Sequence, residues 1–166
     1  QSKSLIRTDP DRGIIITETN HGFICANAGI DSSNIPGEDN VCLLPSQPNE
    51  SARGIRDAII KSTEVNHFAV IISDTFGRPW REGHLNFAIG TAGIKPLQDY
   101  RDTVDAVGKI MRVTMTATVD IVAAAADLVS GKATNTPVSI VRGLNYESSG
   151  EGMEGLLRTA EKDMFR

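Results

Sequence analysis

Residues 70–83 decide the fold; they read Val-Ile-Ile-Ser-Asp-Thr-Phe-Gly-Arg-Pro-Trp-Arg-Glu-Gly. The apolar, β-branched run over residues 68–73 predicts a buried strand, and the Gly and Pro beyond it predict a turn. This turn contains two arginines and the only tryptophan of the chain. The strand is expected to end just before Asp74 and Thr75, at the edge where open α/β sheets bind ligands. The stretch therefore predicts a strand that delivers polar side chains to a site.

The polar residues of this stretch suit a metal ion and an anionic ligand. The carboxylate of Asp74 and the hydroxyl of Thr75 are hard oxygen ligands for Mg²⁺ or Mn²⁺. Arg78 and Arg81 offer planar guanidinium groups for phosphate or carboxylate, and Trp80 offers a face for a flat ring. The alternative from these residues alone is a strand-capping Asp, a turn and surface arginines.

Composition restricts the class of protein. The chain has 166 residues, 40% of them hydrophobic, which is enough for one domain with a real core over residues 1–166. The net charge of −4 gives no support for a nucleic-acid surface, which needs clustered Lys and Arg. No apolar run approaches the ~20 residues of a membrane span. Cys25 and Cys42 lack a Cys-x-x-Cys spacing, so we expect reduced thiols in a cytoplasmic protein.

Hydrophobic periodicity predicts an α+β (mixed α/β) fold, with a largely antiparallel sheet and flanking helices. Strands are predicted at residues 13–18, 22–25, 41–44, 68–73, 85–91, 109–115 and 138–141. Helices are predicted at residues 51–62, 116–130 and 161–166. Ser51 is expected to cap the first helix, and this helix to lead into the strand over 68–73 as a β-α-β connection. Val119, Val122, Ala126 and Val129 form the predicted apolar stripe of the second helix.

The segment 27–40 is a candidate ligand loop. It is dense in Gly, Asn, Asp and Pro, and compact domains rarely keep a long irregular loop without a use. Asp31, brought beside Asp74, would let the two acids share divalent cations that bridge the phosphates of a nucleotide. The alternative is an Asx-turn, in which Asp31 and Asn34 bond their own backbone.

The end of the second helix, Ser130-Gly131-Lys132-Ala133-Thr134, looks like half of a Walker A motif. Position 126 is Ala where that motif requires Gly, and the Gly-Lys pair follows a helix instead of preceding one. The segment is therefore not a P-loop, and a Gly that stops the helix is the alternative.

Several long runs resemble the coenzyme F420-0:L-glutamate ligase family. They are residues 73–83, Ala-Ile-Gly at 88–90, Gly-Ile-Lys-Pro-Leu-Gln-Asp-Tyr at 93–100, His-Gly-Phe-Ile-Cys-Ala-Asn-Ala-Gly-Ile-Asp at 21–31, and residues 123–132 and 141–144. The resemblance covers nearly the whole chain. Family members are longer at the amino end, so it implies that residues 1–166 are the carboxy-terminal major part of such a domain.

The resemblance implies GTP-dependent ligation of L-glutamate to coenzyme F420-0, through an acyl phosphate, in F420 biosynthesis. It implies a cytoplasmic homodimer that uses two Mg²⁺ or Mn²⁺ ions and K⁺. The implied catalytic residues are Asp31 and Asp74, which with Thr75 would bind the metal ions. The implied nucleotide-binding residues are Asn34, Ser130, Gly131, Lys132 and Ala133, and the implied substrate-binding residues are Arg78, Trp80, Arg81 and His21.

Two other functions remain open from the residues. A metal-dependent phosphohydrolase would use the same two acids to activate water. A noncatalytic nucleotide-binding or assembly domain would result if the amino-terminal part of the site were absent.

Overall fold

The computed structural model describes residues 1–164, in which all strand pairing is antiparallel. One sheet contains β1 (Ser2–Asp9), β2 (Ile14–Thr19) and β3 (Ile24–Ala26). A long hairpin contains β4 (Val70–Arg78) and β5 (Arg81–Ala92), and a short one contains β6 (Leu97–Asp99) and β7 (Met115–Ala117). The helices are α1 (Pro48–Thr63) and α2 (Thr118–Ser130), with 3-10 turns at Asn27–Gly29, Met153–Gly155 and Ala160–Lys162. The predicted α+β class with antiparallel pairing is confirmed.

The β4–β5 hairpin corrects the predicted position of the turn. Strand β4 continues to Arg78, so Asp74 and Thr75 lie within a paired strand and not beyond its end. The strand continues because its side chains alternate between partly buried and exposed from residue 73 to residue 78, which is the period of a half-buried hairpin. The predicted β-α-β connection is wrong as well, because residues 41–44 before α1 form one isolated bridge and the sheet that contains β4 has β5 as its other strand.

Both faces of β5 are buried over residues 88–92, and the core lies on either side of this part of the strand. Ala88 contributes to one cluster and its neighbour Ile89 to the other, as alternation along a strand requires. The remaining buried members are Ile94, Val119 and Met153 in the first cluster, and Phe23 and Leu44 in the second.

The two long helices were located correctly, with corrections at their ends and faces. Helix α1 begins at Pro48 after the N-cap residue Gln47, so Ser51 does not cap it. Proline suits the first turn because its fixed φ is helical and its missing N–H would have no helical partner there. In α2 the buried residues are Val119 and Ala123, whereas Val129 of the predicted stripe is 78% exposed.

The predicted hairpin near the amino end of the chain is present, whereas three predicted short strands are largely absent. The predicted hairpin over residues 13–18 and 22–25 is β2–β3, but its outer partner β1 was missed because its sequence, Ser-Lys-Ser-Leu-Ile-Arg-Thr-Asp, is mostly polar. Residues 41–44 form one bridge, between Cys42 and Asp31, and residues 138–141 are irregular. Of residues 109–115, only Met115 lies in a named strand. These short apolar runs find no long partner strand in the part of the chain that is described.

Of the carboxyl-terminal helix predicted for residues 161–166, the part within the described residues forms only the 3-10 turn Ala160–Lys162. Met164 is 80% exposed, and Phe165 and Arg166 lie outside the described residues. Within residues 1–164, no helix has the length and apolar character needed to cross a membrane.

Candidate functional site

Polar side chains from four parts of the chain meet beside the middle of the β4–β5 hairpin. Thr75 of β4 lies opposite Asn86 of β5 and donates its hydroxyl proton to the Asn86 amide oxygen over 2.7 Å. Lys132, the second residue after the end of α2, reaches the same pair with its ammonium group. Asp31 approaches from the loop that follows β3, with Asp74 of β4 close by. We call these five residues the hairpin site.

Asp31 is held at its position by a two-residue bridge. Its backbone N–H donates to the Cys42 carbonyl over 3.2 Å, and the Cys42 N–H donates to its carbonyl over 2.7 Å. The carboxylate accepts from the hydroxyl of Ser33 at 2.7 Å and from the Ser33 N–H at 2.8 Å, and these bonds lower the pKa of Asp31. The Asx-turn is therefore present at Asp31, where it holds an ionised carboxylate whose charge acts on Asp74, but not at Asn34, whose side chain bonds the Lys132 carbonyl.

Asp74 is half-buried, and its pKa is raised, chiefly because burial disfavours the charged form. The negative charge of Asp31 raises it further, whereas the Thr75 N–H at 2.7 Å and the positive charge of Lys132 lower it. Burial also raises the pKa of the Cys25 thiol, and the negative charge of Asp74 raises it further. Two carboxylates thus lie close enough for the charge of one to oppose ionisation of the other.

The end of helix α2 is tied to the loop that contains Asp31. Gly131 ends the helix with φ +64°, a left-handed conformation that glycine adopts without strain, as expected for a helix-stopping glycine. The side-chain amide of Asn34 donates to the Lys132 carbonyl over 3.2 Å. Asp127 of α2 pairs with the Lys132 ammonium at 3.0 Å. The predicted nucleotide-binding segments around Asn34 and Lys132 therefore form one surface.

Arg78, Trp80 and Arg81 lie apart from this site, at the tip of the hairpin. Arg78 precedes the turn and donates to the carbonyls of Glu82 and Gly83, and Trp80 is 79% exposed. Since a strand rises ~3.3 Å per residue, the tip begins roughly 13 Å from Asp74. The structure does not bring these residues together with the two acids.

His21 lies at a different place, beside the beginning of helix α1. Its Nε2 is 3.2 Å from the Ser46 carbonyl oxygen and its ring stacks on Phe23. It lines a cavity of about 270 Å³ together with Glu50, Arg53 and Glu154. This cavity is separate from the hairpin site.

The side chains at the hairpin site could supply part of the coordination of one divalent cation, but not a complete set of protein ligands. No group of three or more His, Cys, Asp or Glu side chains positioned for a metal occurs among residues 1–164. The negative charge of Asp31 nevertheless raises the pKa of Asp74, and a cation between the two carboxylates would relieve this repulsion. Mg²⁺ is commonly bound by one or two carboxylates, with water and substrate phosphates completing its coordination.

Sequence reasoning missed Asn86 and the role of Asp127. Asn86 faces Thr75 because the register shifts between Gly77 and Arg78, a detail without a sequence signal. On spacing alone, Asp120 and Asp127 lie two turns apart on one side of α2, which is typical of a solvated face or, for Asp120, of a side chain turned toward the site. In the structure Asp127 pairs with Lys132, and Asp120 accepts from the Ala88 N–H over 3.0 Å.

Comparison with known proteins places these features in a family. The model of the F420-0:Gamma-glutamyl ligase family matches residues 1–143. The chain is 42% identical to the coenzyme F420:L-glutamate ligase of Methanothermobacter thermautotrophicus, and 41% identical to those of Methanocaldococcus jannaschii and Methanopyrus kandleri. All of this chain is covered, against 66%, 65% and 66% of these relatives, so it spans a little under two thirds of their length. The chain therefore belongs to the F420-0:gamma-glutamyl ligase family.

Proposed function

We propose that this chain takes part in joining L-glutamate to coenzyme F420-0 by an amide bond, with GTP as the source of energy. Family membership supports the ligation, and the observation that carries the proposal is that the charges of Asp31 and Lys132 both act on the half-buried Asp74. GTP, the acyl phosphate and the divalent cation are parts of the proposal drawn from the resemblance and from this geometry. The K⁺ ion, the homodimer and the cytoplasmic location remain predictions.

The chemistry explains why an acidic site and a nucleotide belong together. A carboxylate is a poor acyl donor because oxide is a poor leaving group. Transfer of the γ-phosphoryl group of GTP to the F420-0 carboxylate gives an acyl phosphate and GDP. The glutamate amine then attacks the acyl carbon, the amide bond forms, a proton is lost and phosphate leaves.

Asp31 and Asp74 are the residues that would hold the divalent cation. When bound, such a cation offsets negative charge on the nucleotide phosphates. Asp31 is suited to this because its hydrogen bonds to Ser33 keep it ionised. Asp74 is half-buried and fixed by the Thr75 N–H, so its position is defined before any ligand arrives.

The remaining predicted residues divide between the two ends of the hairpin. Asn34 and the turn at residues 130–133 would contact the nucleotide, since they are joined to each other next to Asp31. Arg78, Trp80 and Arg81 would contact the far part of the long F420-0 molecule, because the hairpin tip lies roughly 13 Å from Asp74. His21 would contact substrate only from the separate cavity at the start of α1.

Asp74→Asn tests the proposal. Phosphate release from GTP is measured with Mn²⁺ and F420-0, with and without L-glutamate, while the deazaflavin product is followed by mass. We expect glutamate-dependent release and a product heavier by one glutamyl unit from the wild type, and a loss of at least ~100-fold in the variant, the scale seen when a charge-stabilising group is removed. Asp57→Asn, at an exposed position of α1, is the matched control.

The outcomes separate the alternatives. Wild-type turnover by Asp74→Asn would remove this residue from the mechanism. Phosphate release that ignores glutamate would favour the phosphohydrolase. No release, with GTP still raising the melting temperature, would favour the noncatalytic nucleotide-binding domain.

A further inference from the structure

The ammonium group of Lys132 has all three of its protons engaged at the hairpin site. Its Nζ lies 3.0 Å from the Thr75 hydroxyl oxygen, 3.2 Å from the Asn86 amide oxygen and 3.0 Å from an Asp127 carboxylate oxygen. An ammonium has three donors and no acceptor, so these three oxygens use its full capacity. The ammonium group therefore has oxygen neighbours of the kind that a bound metal cation would have.

The three oxygens come from three different elements, β4, β5 and α2. The backbone of Lys132 is fixed as well, because Gly131 turns the chain at the end of α2 and Asn34 donates to the Lys132 carbonyl. The side chain is 60% exposed, so its stem is not packed in the core and the ammonium is positioned by its polar contacts. The contacts therefore form a defined cation position at the open edge of the site.

Thr75 is the residue at which this arrangement departs from the prediction of two metal ions. Its hydroxyl donates its proton to Asn86 and accepts a proton from Lys132. A divalent ion bound to the same oxygen would lie next to the ammonium, and the two positive charges would repel each other. Asp127, which could otherwise balance a second metal ion, is already paired with Lys132.

We propose that the Lys132 ammonium serves as the second cation of this site, leaving a single divalent ion to be bound by Asp31 and Asp74. Asn86 and Asp127 are then positioning residues, which hold the ammonium against Thr75. The inference rests on the proposed function in that it counts the cations of the proposed ligation site. It needs neither GTP nor F420-0 to be tested.

The test counts Mn²⁺ ions bound per chain, by equilibrium dialysis and by the electron paramagnetic resonance of free Mn²⁺, in the absence of nucleotide, F420-0 and glutamate. Lys132→Gln removes the ammonium and supplies an oxygen. We expect this variant to bind one Mn²⁺ more per chain than the wild type. Lys132→Arg keeps the charge and should show no gain. Lys95→Gln, which removes the lysine of the pair with Glu147 elsewhere on the surface, is the matched control.

Equal Mn²⁺ counts for the wild type and a folded Lys132→Gln would overturn the inference, whatever the count is. Folding is checked by the thermal unfolding of each variant. Should Lys132→Gln fail to fold, Lys132→Ala leaves the same three oxygens free and must show the gain. A chain that shows the extra Mn²⁺ but no ligation would leave the inference standing and count against the proposed function alone.

Discussion

Replacing Gly90 by alanine tests how closely helix α1 is seated on strand β5. A Cβ atom at this position would lie 2.5 Å from the carbonyl carbon and oxygen of Pro48 and 2.7 Å from its Cβ. Pro48 is the first residue of α1, so the backbone there cannot move without shifting the helix. The φ of Gly90 is not positive, and the conflict is therefore one of space alone.

The cost follows from this geometry. Overpacking a core by a single group costs about 1–3 kcal/mol, and contact with backbone atoms belongs to the upper end because no side chain can rotate away. We expect Gly90→Ala to lower the free energy of unfolding by about 3 kcal/mol. For a chain of this size that corresponds to a fall of roughly 6–12 °C in Tm.

Gly54→Ala is the matched control and is expected to have the opposite sign. Gly54 lies within α1, and a Cβ there meets nothing within 4 Å. Alanine in a helix interior gains up to about 1 kcal/mol over glycine. Urea unfolding followed by circular dichroism gives both free energies. A Gly90→Ala variant as stable as the wild type would refute the described contact between α1 and β5.

Two further substitutions test side chains that link helices to the core. Asn49→Ala leaves the backbone amides of Thr91 and Met153 without their acceptor, and we expect it to lower the free energy of unfolding by about 1–3 kcal/mol for each unpaired amide. Urea unfolding of this variant is compared with that of the control Asn66→Ala. Equal stability of the two variants would contradict the described contacts. Burial raises the pKa of Asp120, so its carboxyl group binds a proton more tightly in the folded state than in the unfolded state. The destabilisation caused by the buried carboxylate therefore decreases as the pH falls and the group becomes protonated. Asp120→Asn should therefore be more stable than the wild type at neutral pH, with a difference that shrinks as the pH falls through the raised pKa. A difference that does not vary with pH would argue against this titration.

The sequence predicts the elements better than it predicts the contacts between them. Helices α1 and α2 and the β2–β3 hairpin have strong periodic or turn signals and were found. In the β4–β5 hairpin, Arg78 pairs with Arg81, and this register alone would set Thr75 opposite His84. The irregularity between Gly77 and Arg78 moves the partner of Thr75 to Asn86. A shift of this kind depends on packing of both strands, and propensity does not reveal it.

Asp74 was singled out by its place after an apolar run and before a Gly- and Pro-containing turn, and Asp31 by the family resemblance; their role in binding a metal stays a prediction. Their partners were not found, since Asp127 occupies an ordinary polar position on α2 and becomes significant only when the chain turns at Gly131 and returns Lys132 to it. Such a meeting is a property of the turn geometry. The sequence around Asp127 alone does not contain it.

Two backbone amides of β5 donate to side chains of the helices: the Ala88 N–H to Asp120 of α2 and the Thr91 N–H to Asn49 of α1. Hydrogen exchange at these two amides therefore reports the opening of each helix separately. Slow exchange at Thr91 with fast exchange at Ala88 would mean that α2 lifts off while α1 stays in place. Because Lys132 directly follows Gly131 at the end of α2, the Ala88 amide would then measure how often the hairpin site itself comes apart.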